Sequence, residues 1–541
     1  MQKGKSEGSH QPTKQDHRQR GLVNGALLLS FAALIAKVLS AIYRIPLQNL
    51  VGNTGFYVYQ QVYPLYGIAM TFALSGLPVF ISKLIAEIDD VTVRRQVAKR
   101  LLCILAVFSG VLFGILFFGA TAIAVAMGDR GLTPLIQVVA GMALFMPALA
   151  VGRGYAQGLF DMRPTAISQV LEQVIRVAII IVVAWLAASQ HWLVYRMGAW
   201  AMSGALFGAV AALAVFVPFY QRLFDRHDRQ QLNPNIYGWW VLAKRLFREG
   251  GTICLFAAVV LLLQLVDSFT VKRGLVSMGL SQDAAKSLKG VYDRAQPLIQ
   301  LGLVIATSFS ATLLPTLSAA INGRRPQVVQ TTLKTLIHVS VALSVAATAG
   351  MIVLMPVINL VLFGSMTGSL ALAIYCLSIV FASLISTYNS ILQSMNQYRL
   401  SLIALLAGVL VKVLFNFQAV VSFGINGASW MTVLSLLVML IIIWIGSPAE
   451  MRFALTQGKF VRKLALVTVT MAIVTGFVAN SLQMWLGPGR VAAIVVTGVG
   501  VVVGIAVFIG LALWGRLFTT REWLTLPGGK RLLKSLVNTK K

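Results

Sequence analysis

The chain has 541 residues, 58% of them hydrophobic and only 11% charged, with a formal net charge of +29. A soluble protein of this length needs far more polar side chains to cover its surface, so the composition excludes a soluble globular domain. It points to an all-α polytopic membrane protein, and the surplus of Lys and Arg then follows membrane sidedness rather than nucleic acid, which is not an expected partner.

Taken in chain order, fourteen apolar runs are each long enough to cross a ~30 Å hydrocarbon core. They lie near 22–46, 57–86, 101–127, 132–157, 164–188, 197–220, 250–271, 290–320, 331–362, 368–394, 399–418, 424–446, 462–486 and 491–515. With the N-terminus cytoplasmic, most of the 45 Lys and Arg fall in the inner segments, which predicts both ends inside. The expected organisation is a basic cytoplasmic tail (1–20), an N-lobe of six helices (21–220), an amphipathic cytoplasmic linker (221–249), and a C-lobe of six helices (250–446). Two appended helices (447–515) and a second basic tail (516–541) complete it. The tails should face anionic membrane lipids. Met1–Arg20 lacks an apolar core and is not expected to be a cleaved signal peptide. In the linker, "YGWW" and "LAKRLF" read as a segment lying at the inner interface. Cys103, Cys254 and Cys376 each sit inside an apolar run, without metal-ligand or disulfide spacing, and read as small core residues.

The two lobes echo each other. "FAALI" at Phe31 is matched by "FAAVV" at Phe256, and "TFALSGLP" by "SFSATLLP". One constant offset lays the fifth span on the eleventh, so that Gln157 meets Gln393, Arg163 meets Arg399 and Arg176 meets Lys412. Six helices per half make the repeat parallel, with its axis along the membrane normal. Transporters built in that way place substrate between the halves.

Charged residues inside such spans ordinarily face a bundle interior or a wet cavity. The deep candidates are Lys37, Arg44, Arg176, Arg294 and Lys412 against Glu172, Asp267 and Asp293. Lys83, near a span end, can snorkel. Glu172 precedes Arg176 by one helical turn and is expected to be its counter-ion until an anion competes. Lys412 has no acid in its own span, so its partner comes from elsewhere or is the substrate. Asp267 in "VDSFT" is expected to pair with a cavity cation, or else to hold a monovalent cation with Ser268 and Thr270. His338 reads as a core histidine. A surplus of cation suits an anion, and phosphate or pyrophosphate is the natural guest for arginine. No Walker A motif, metal-ligand pair or nucleophile–base arrangement appears, so no catalytic residue and no metal is expected.

The segments "AKVLSAIYRIPLQNLVGNTGFYVYQQVYPLY", "LSGLPVFISKLIAE", "GRGYAQGLFDMRPTAISQVLEQVIR" and "YDRAQPLIQLGLV" resemble the Gram-positive, SpoVB-like branch of the MurJ-type flippases. These belong to the multidrug/oligosaccharidyl-lipid/polysaccharide (MOP) exporter superfamily. The resemblance covers the first twelve spans. It implies a monomeric multi-pass protein of the bacterial plasma membrane that moves an undecaprenyl-pyrophosphate-linked glycan, lipid II, to the outer leaflet. It also implies a lipid-tail groove in the last two helices. By position, Lys37, Arg44 and Arg294 match the family's cavity cations. The chain departs from better-known members in lacking an arginine in "YQQVYPLYGIA", in having Asn53 where they have an acid, and in lacking a sodium-binding carboxylate beside Lys412 and Asn416. Membrane potential is then the more economical driver, with monovalent-cation coupling the alternative. Competing readings are a flippase for another lipid-linked polysaccharide and a cation-coupled multidrug antiporter of the same superfamily.

Overall fold

The computed structural model describes residues 14–225, 234–307, 317, 320–321, 323, 325–395, 397–449, 451–452 and 459–525. Much of both expected basic tails, and 308–316 of the eighth expected span with all of its "SFSATLLP", lie outside the described residues. The described residues form helices joined by short turns, with no strand among them. Ten of these helices are long and apolar enough to cross a membrane, or eleven when Trp239–Ala257 and Val259–Ser277, bent by 69°, count as one span. The fold is that of an all-α polytopic membrane protein.

Two helical runs are far longer than the ~20 residues a crossing needs, and each doubles back at a glycine. Leu28–Ala86 turns at Gly52 (φ 69°), and Arg399–Gly446 turns at Gly424 (φ 60°). Side chains other than glycine reach such φ values only with strain. Across the first turn, the Tyr43 and Tyr59 hydroxyls are 3.0 Å apart. Across the second, a methyl group on Gly408 would lie 2.7 Å from Ser435 O, and one on Gly446 would strike Leu400. The arms therefore run antiparallel. Gly424→Ala is expected to cost about 1–3 kcal/mol, read as a lower unfolding temperature in detergent.

Glycines also set how the two halves meet. A Cβ on Gly76 would strike Cys254, and one on Gly67 would come within 2.7 Å of Leu261, so the returning arm of the first hairpin lies against the helices after Trp239. A Cβ on Gly290 would strike the backbone oxygen of Asn53, which brings Gln282–Asp293 against the Gly52 turn. One core of buried side chains extends from Tyr43 to Cys254 and another from Phe256 to Trp523. The linker segment Trp239–Arg245 exposes Trp239 and Trp240. Arg100 braces it, lying 5.4 Å from the Trp239 ring and donating to Tyr237 O at 2.5 Å.

Helix Arg44–Thr71 continues into Leu77–Ala86 through a wider π-helical turn, Phe72–Gly76. Such a turn leaves backbone carbonyls poorly served by the helix itself. Arg153 of helix Thr133–Gly158 donates to one of them, Ala73 O, at 3.3 Å.

Candidate functional site

Lys37, Ser40 and Arg44 follow one another at spacings of three and four residues, which puts them on one helical face. The same spacing on the returning arm aligns Tyr59, Tyr63 and Tyr66. Their rings form a chain with Tyr43: centroids are 6.1 Å apart for Tyr43–Tyr59, 6.3 Å for Tyr59–Tyr63 and 5.7 Å for Tyr63–Tyr66. Two guanidiniums lie on this aromatic wall. Arg44 Cζ is 4.3 Å from the Tyr63 centroid, while Arg176 Cζ is 5.2 Å from Tyr43 and 5.0 Å from Tyr66. Both arginines are only 1% exposed. Each desolvated cation–π contact is worth about 2 kcal/mol or more, which offsets part of the cost of burying the charges.

The remaining contacts are neutral. Arg176 Nε and Nη2 donate to Gln173 Oε1 at 3.1 and 2.7 Å, and Nη2 also reaches Ser40 Oγ at 3.3 Å. Arg44 Nη1 donates to Gln300 Oε1 at 3.2 Å, from helix Ala295–Thr307 in the other half of the chain. Arg44 Nε and Arg176 Nη1 have no hydrogen-bond partner among the described residues. Lys37 is exposed, one turn before Ser40, and makes no ion pair with the described residues.

The expected Glu172–Arg176 ion pair does not form. Glu172 Oε2 instead binds Arg153 Nη2 at 2.6 Å, with both side chains fully buried. Residues one turn apart share a helix face, but a neighbouring helix can bring a charge closer still. Arg153 does so from Thr133–Gly158, where it is also held by Ser168 Oγ at 3.0 Å. Arg153, which is not among the expected site residues, is thus the ion-pair partner of Glu172. Arg176 is consequently a buried cation with no carboxylate within ion-pair distance among the described residues.

The other expected site residues separate into pairs. Lys412 Nζ binds Asp267 Oδ2 at 2.7 Å, and Lys289 Nζ binds Asp293 Oδ1 at 2.5 Å. Arg294 resembles Arg44 and Arg176: it is 1% exposed and among the described residues meets Asn359 Oδ1 (3.1 Å), Asn53 Oδ1 (2.7 Å) and the Phe363 ring, with no partner there for Nε. Glu172, Asp267 and Asp293 are thus each paired with a basic residue of their own. Lys37, Arg44, Arg176 and Arg294 have no acid within ion-pair distance among the described residues. Arg44 and Arg176 are brought together on the tyrosine wall, whereas Arg294 lies against the Gly52 turn and Lys412 sits apart. His338 is buried, as expected, but it is not isolated: Nδ1 is 2.8 Å from Glu522 Oε1 and its ring stacks on Phe460. Among the described residues, no group of three His, Cys, Asp or Glu could hold a metal ion.

A family model described as polysaccharide biosynthesis protein matches residues 22–321. The membrane protein YabM of Bacillus subtilis (strain 168) is 35% identical over 521 residues, which cover 94% of this chain and 96% of that one. The lipid II flippase MurJ of the same organism is 24% identical over 515 residues, covering 89% and 93%. The solved structure of lipid II flippase MurJ in an inward closed conformation aligns with a TM-score of 0.66 at 13% identity, over 91% of this chain and 99% of that one. An inward-facing multidrug resistance MATE transporter of the MOP superfamily aligns at 0.62 and 15% identity, over 78% and 96%. These structures share the fold, and the sequence matches carry the kinship. The chain belongs to the polysaccharide biosynthesis protein family, as a multi-pass protein of the bacterial plasma membrane.

Proposed function

We propose that this protein is a flippase that carries an undecaprenyl-pyrophosphate-linked cell-wall precursor, lipid II first among them, from the inner to the outer leaflet by alternating access. The observation that carries this reading is the pair Arg44 and Arg176: two buried guanidiniums that, among the described residues, have no carboxylate within ion-pair distance and each an N–H without a partner. Arginine donors of this kind suit a phosphate oxygen, and a pyrophosphate offers one phosphate to each. Exposed Lys37, a turn away, meets the anion first. An antiporter of cationic drugs would need a carboxylate free for its substrate, and Glu172, Asp267 and Asp293 are each held by a cation of the protein. Fourteen spans with both ends cytoplasmic, and membrane potential as the driver, belong to the same proposal. The host depleted of this protein should accumulate lipid II in the inner leaflet. Accumulation of a different undecaprenyl-linked glycan would instead make that glycan the cargo.

Alternating access also requires the contact at the Gly52 turn to open. Asn53 Nδ2 lies 3.4 Å from Ser287 Oγ, with the Gly290 backbone against Asn53 O. In a background lacking Cys103, Cys254 and Cys376, cysteines at positions 53 and 287 should cross-link under oxidation and stop translocation, and reductant should restore it. Full transport by the cross-linked protein would contradict alternating access through this contact.

A further inference from the structure

The resemblance to cation-coupled members of the superfamily raises a bound monovalent cation at Asp267. The donor set there is suitable in type, but it is already in use. The Lys412 ammonium lies 2.7 Å from Asp267 Oδ2 and 2.7 Å from Thr432 Oγ1, and the lysine is fully buried. Asn416 Nδ2 reaches Asp267 Oδ1 at 3.1 Å and Thr270 Oγ1 at 2.6 Å. Tyr292 OH donates to Asp267 Oδ2 at 3.0 Å, and buried Asn416 Oδ1 has no partner among the described residues. The Asp267 carboxylate therefore meets an ammonium, an amide N–H and a tyrosine hydroxyl, with the Thr432 and Thr270 hydroxyls one contact further out, contributed by helices Val259–Ser277 and Gln282–Asp293 and by both arms of the Gly424 hairpin.

We infer that the Lys412 ammonium is the built-in cation of this site, so that the protein works without a bound sodium or potassium ion and takes one only when the ammonium is removed. The charge balance requires it. Asp267 has one positive partner among the described residues, and adding a free cation beside Lys412 would place two positive charges on one buried carboxylate. Removing the lysine reverses the balance. It leaves an uncompensated buried carboxylate among hard oxygen donors, with a channel-shaped space where the four-carbon stem ran. Such a place suits a sodium ion or a small primary ammonium. A covalent cation cannot be exchanged between the two sides of the membrane, so the ion would tie the hairpin to Val259–Ser277 rather than drive transport. That last step rests on the transporter reading above.

Thermal unfolding of the purified full-length protein tests the inference without any substrate. Wild type, Lys412→Ala, and Lys412→Ala combined with Asp267→Asn are compared in choline, sodium and methylammonium chloride at equal ionic strength. Wild type should unfold at the same temperature in all three salts. Lys412→Ala should be less stable in choline and gain several degrees in sodium or methylammonium, while the double variant should not respond. Sodium-specific stabilisation of wild type overturns the inference, as does indifference of Lys412→Ala to every cation. If Lys412→Ala is recovered from membranes only when sodium or methylammonium is present, that supports the inference. If it is recovered in no salt while the double variant folds, a free cation cannot serve Asp267 and the inference fails. No outcome depends on lipid II being the cargo.

Discussion

Arg176→Ala is expected to weaken binding of a pyrophosphate-bearing headgroup by about 10- to 100-fold, the equivalent of one charge-assisted hydrogen bond at about 1.5–3 kcal/mol. Arg44→Ala should do the same, and the double variant should abolish translocation in reconstituted vesicles. Neither substitution breaks an ion pair, since the partners lost are Gln173, Ser40, Gln300 and tyrosine faces. Insertion and folding should therefore survive, and relief of a buried charge can even raise stability. Lysine is a poor replacement at either position, because a point charge cannot lie flat on the ring and present a second N–H to the anion. Wild-type headgroup affinity in Arg44→Ala and Arg176→Ala would remove the anion site.

Glu172→Ala should behave in the opposite way. It strands Arg153 as an unpaired charge inside the bundle, and breaking a buried pair in this manner costs about 3–5 kcal/mol. The loss should appear as a lower unfolding temperature, with headgroup affinity of the folded fraction unchanged. Replacing both partners, Arg153→Met with Glu172→Leu, should recover much of the stability, because neither charge is then left unpaired. Arg153 also serves Ala73 O in the π-helical turn, so recovery should stop short of wild type. Reduced headgroup affinity without loss of stability in Glu172→Ala would restore the competition between Arg176 and an anion that i,i+4 spacing suggests.

These two outcomes show where the sequence is informative. The all-α polytopic fold follows from apolar run length alone, because the bilayer leaves a spanning chain few ways to satisfy its backbone. The turn at Gly52 falls between the first two expected spans for the same reason, and the turn at Gly424 falls on the first residue of the twelfth. The surplus of buried cation is also legible, since charged positions inside the apolar runs stand out. Pairing is a different matter. The spacing of Glu172 and Arg176 says that they share a face, but the contact is decided by Arg153 on another helix. Its signal is faint: an arginine between Gly152 and Gly154, where close packing pulls the helix inward. Gly154 has room for no methyl group, because Ile81 would lie within 2.6 Å. Asp267 and Lys412 are 145 residues apart, and no local pattern joins them. The aromatic wall is written in the sequence as Tyr59, Tyr63 and Tyr66, but only the hairpin at Gly52 brings Tyr43 and both arginines to it.

The central claim is that Arg44 and Arg176 form an anion site through which a lipid-linked pyrophosphate crosses the membrane. Proteoliposomes containing only this protein and lipid II test it directly, with the headgroup reaching the outer surface read by an impermeant enzyme or reagent. Wild type should expose lipid II placed in the inner leaflet, inorganic pyrophosphate should compete, and the Arg44→Ala, Arg176→Ala double variant should leave it hidden. Equal exposure by wild type and the double variant, or transport of a cationic drug in place of a pyrophosphate-linked lipid, would contradict the account.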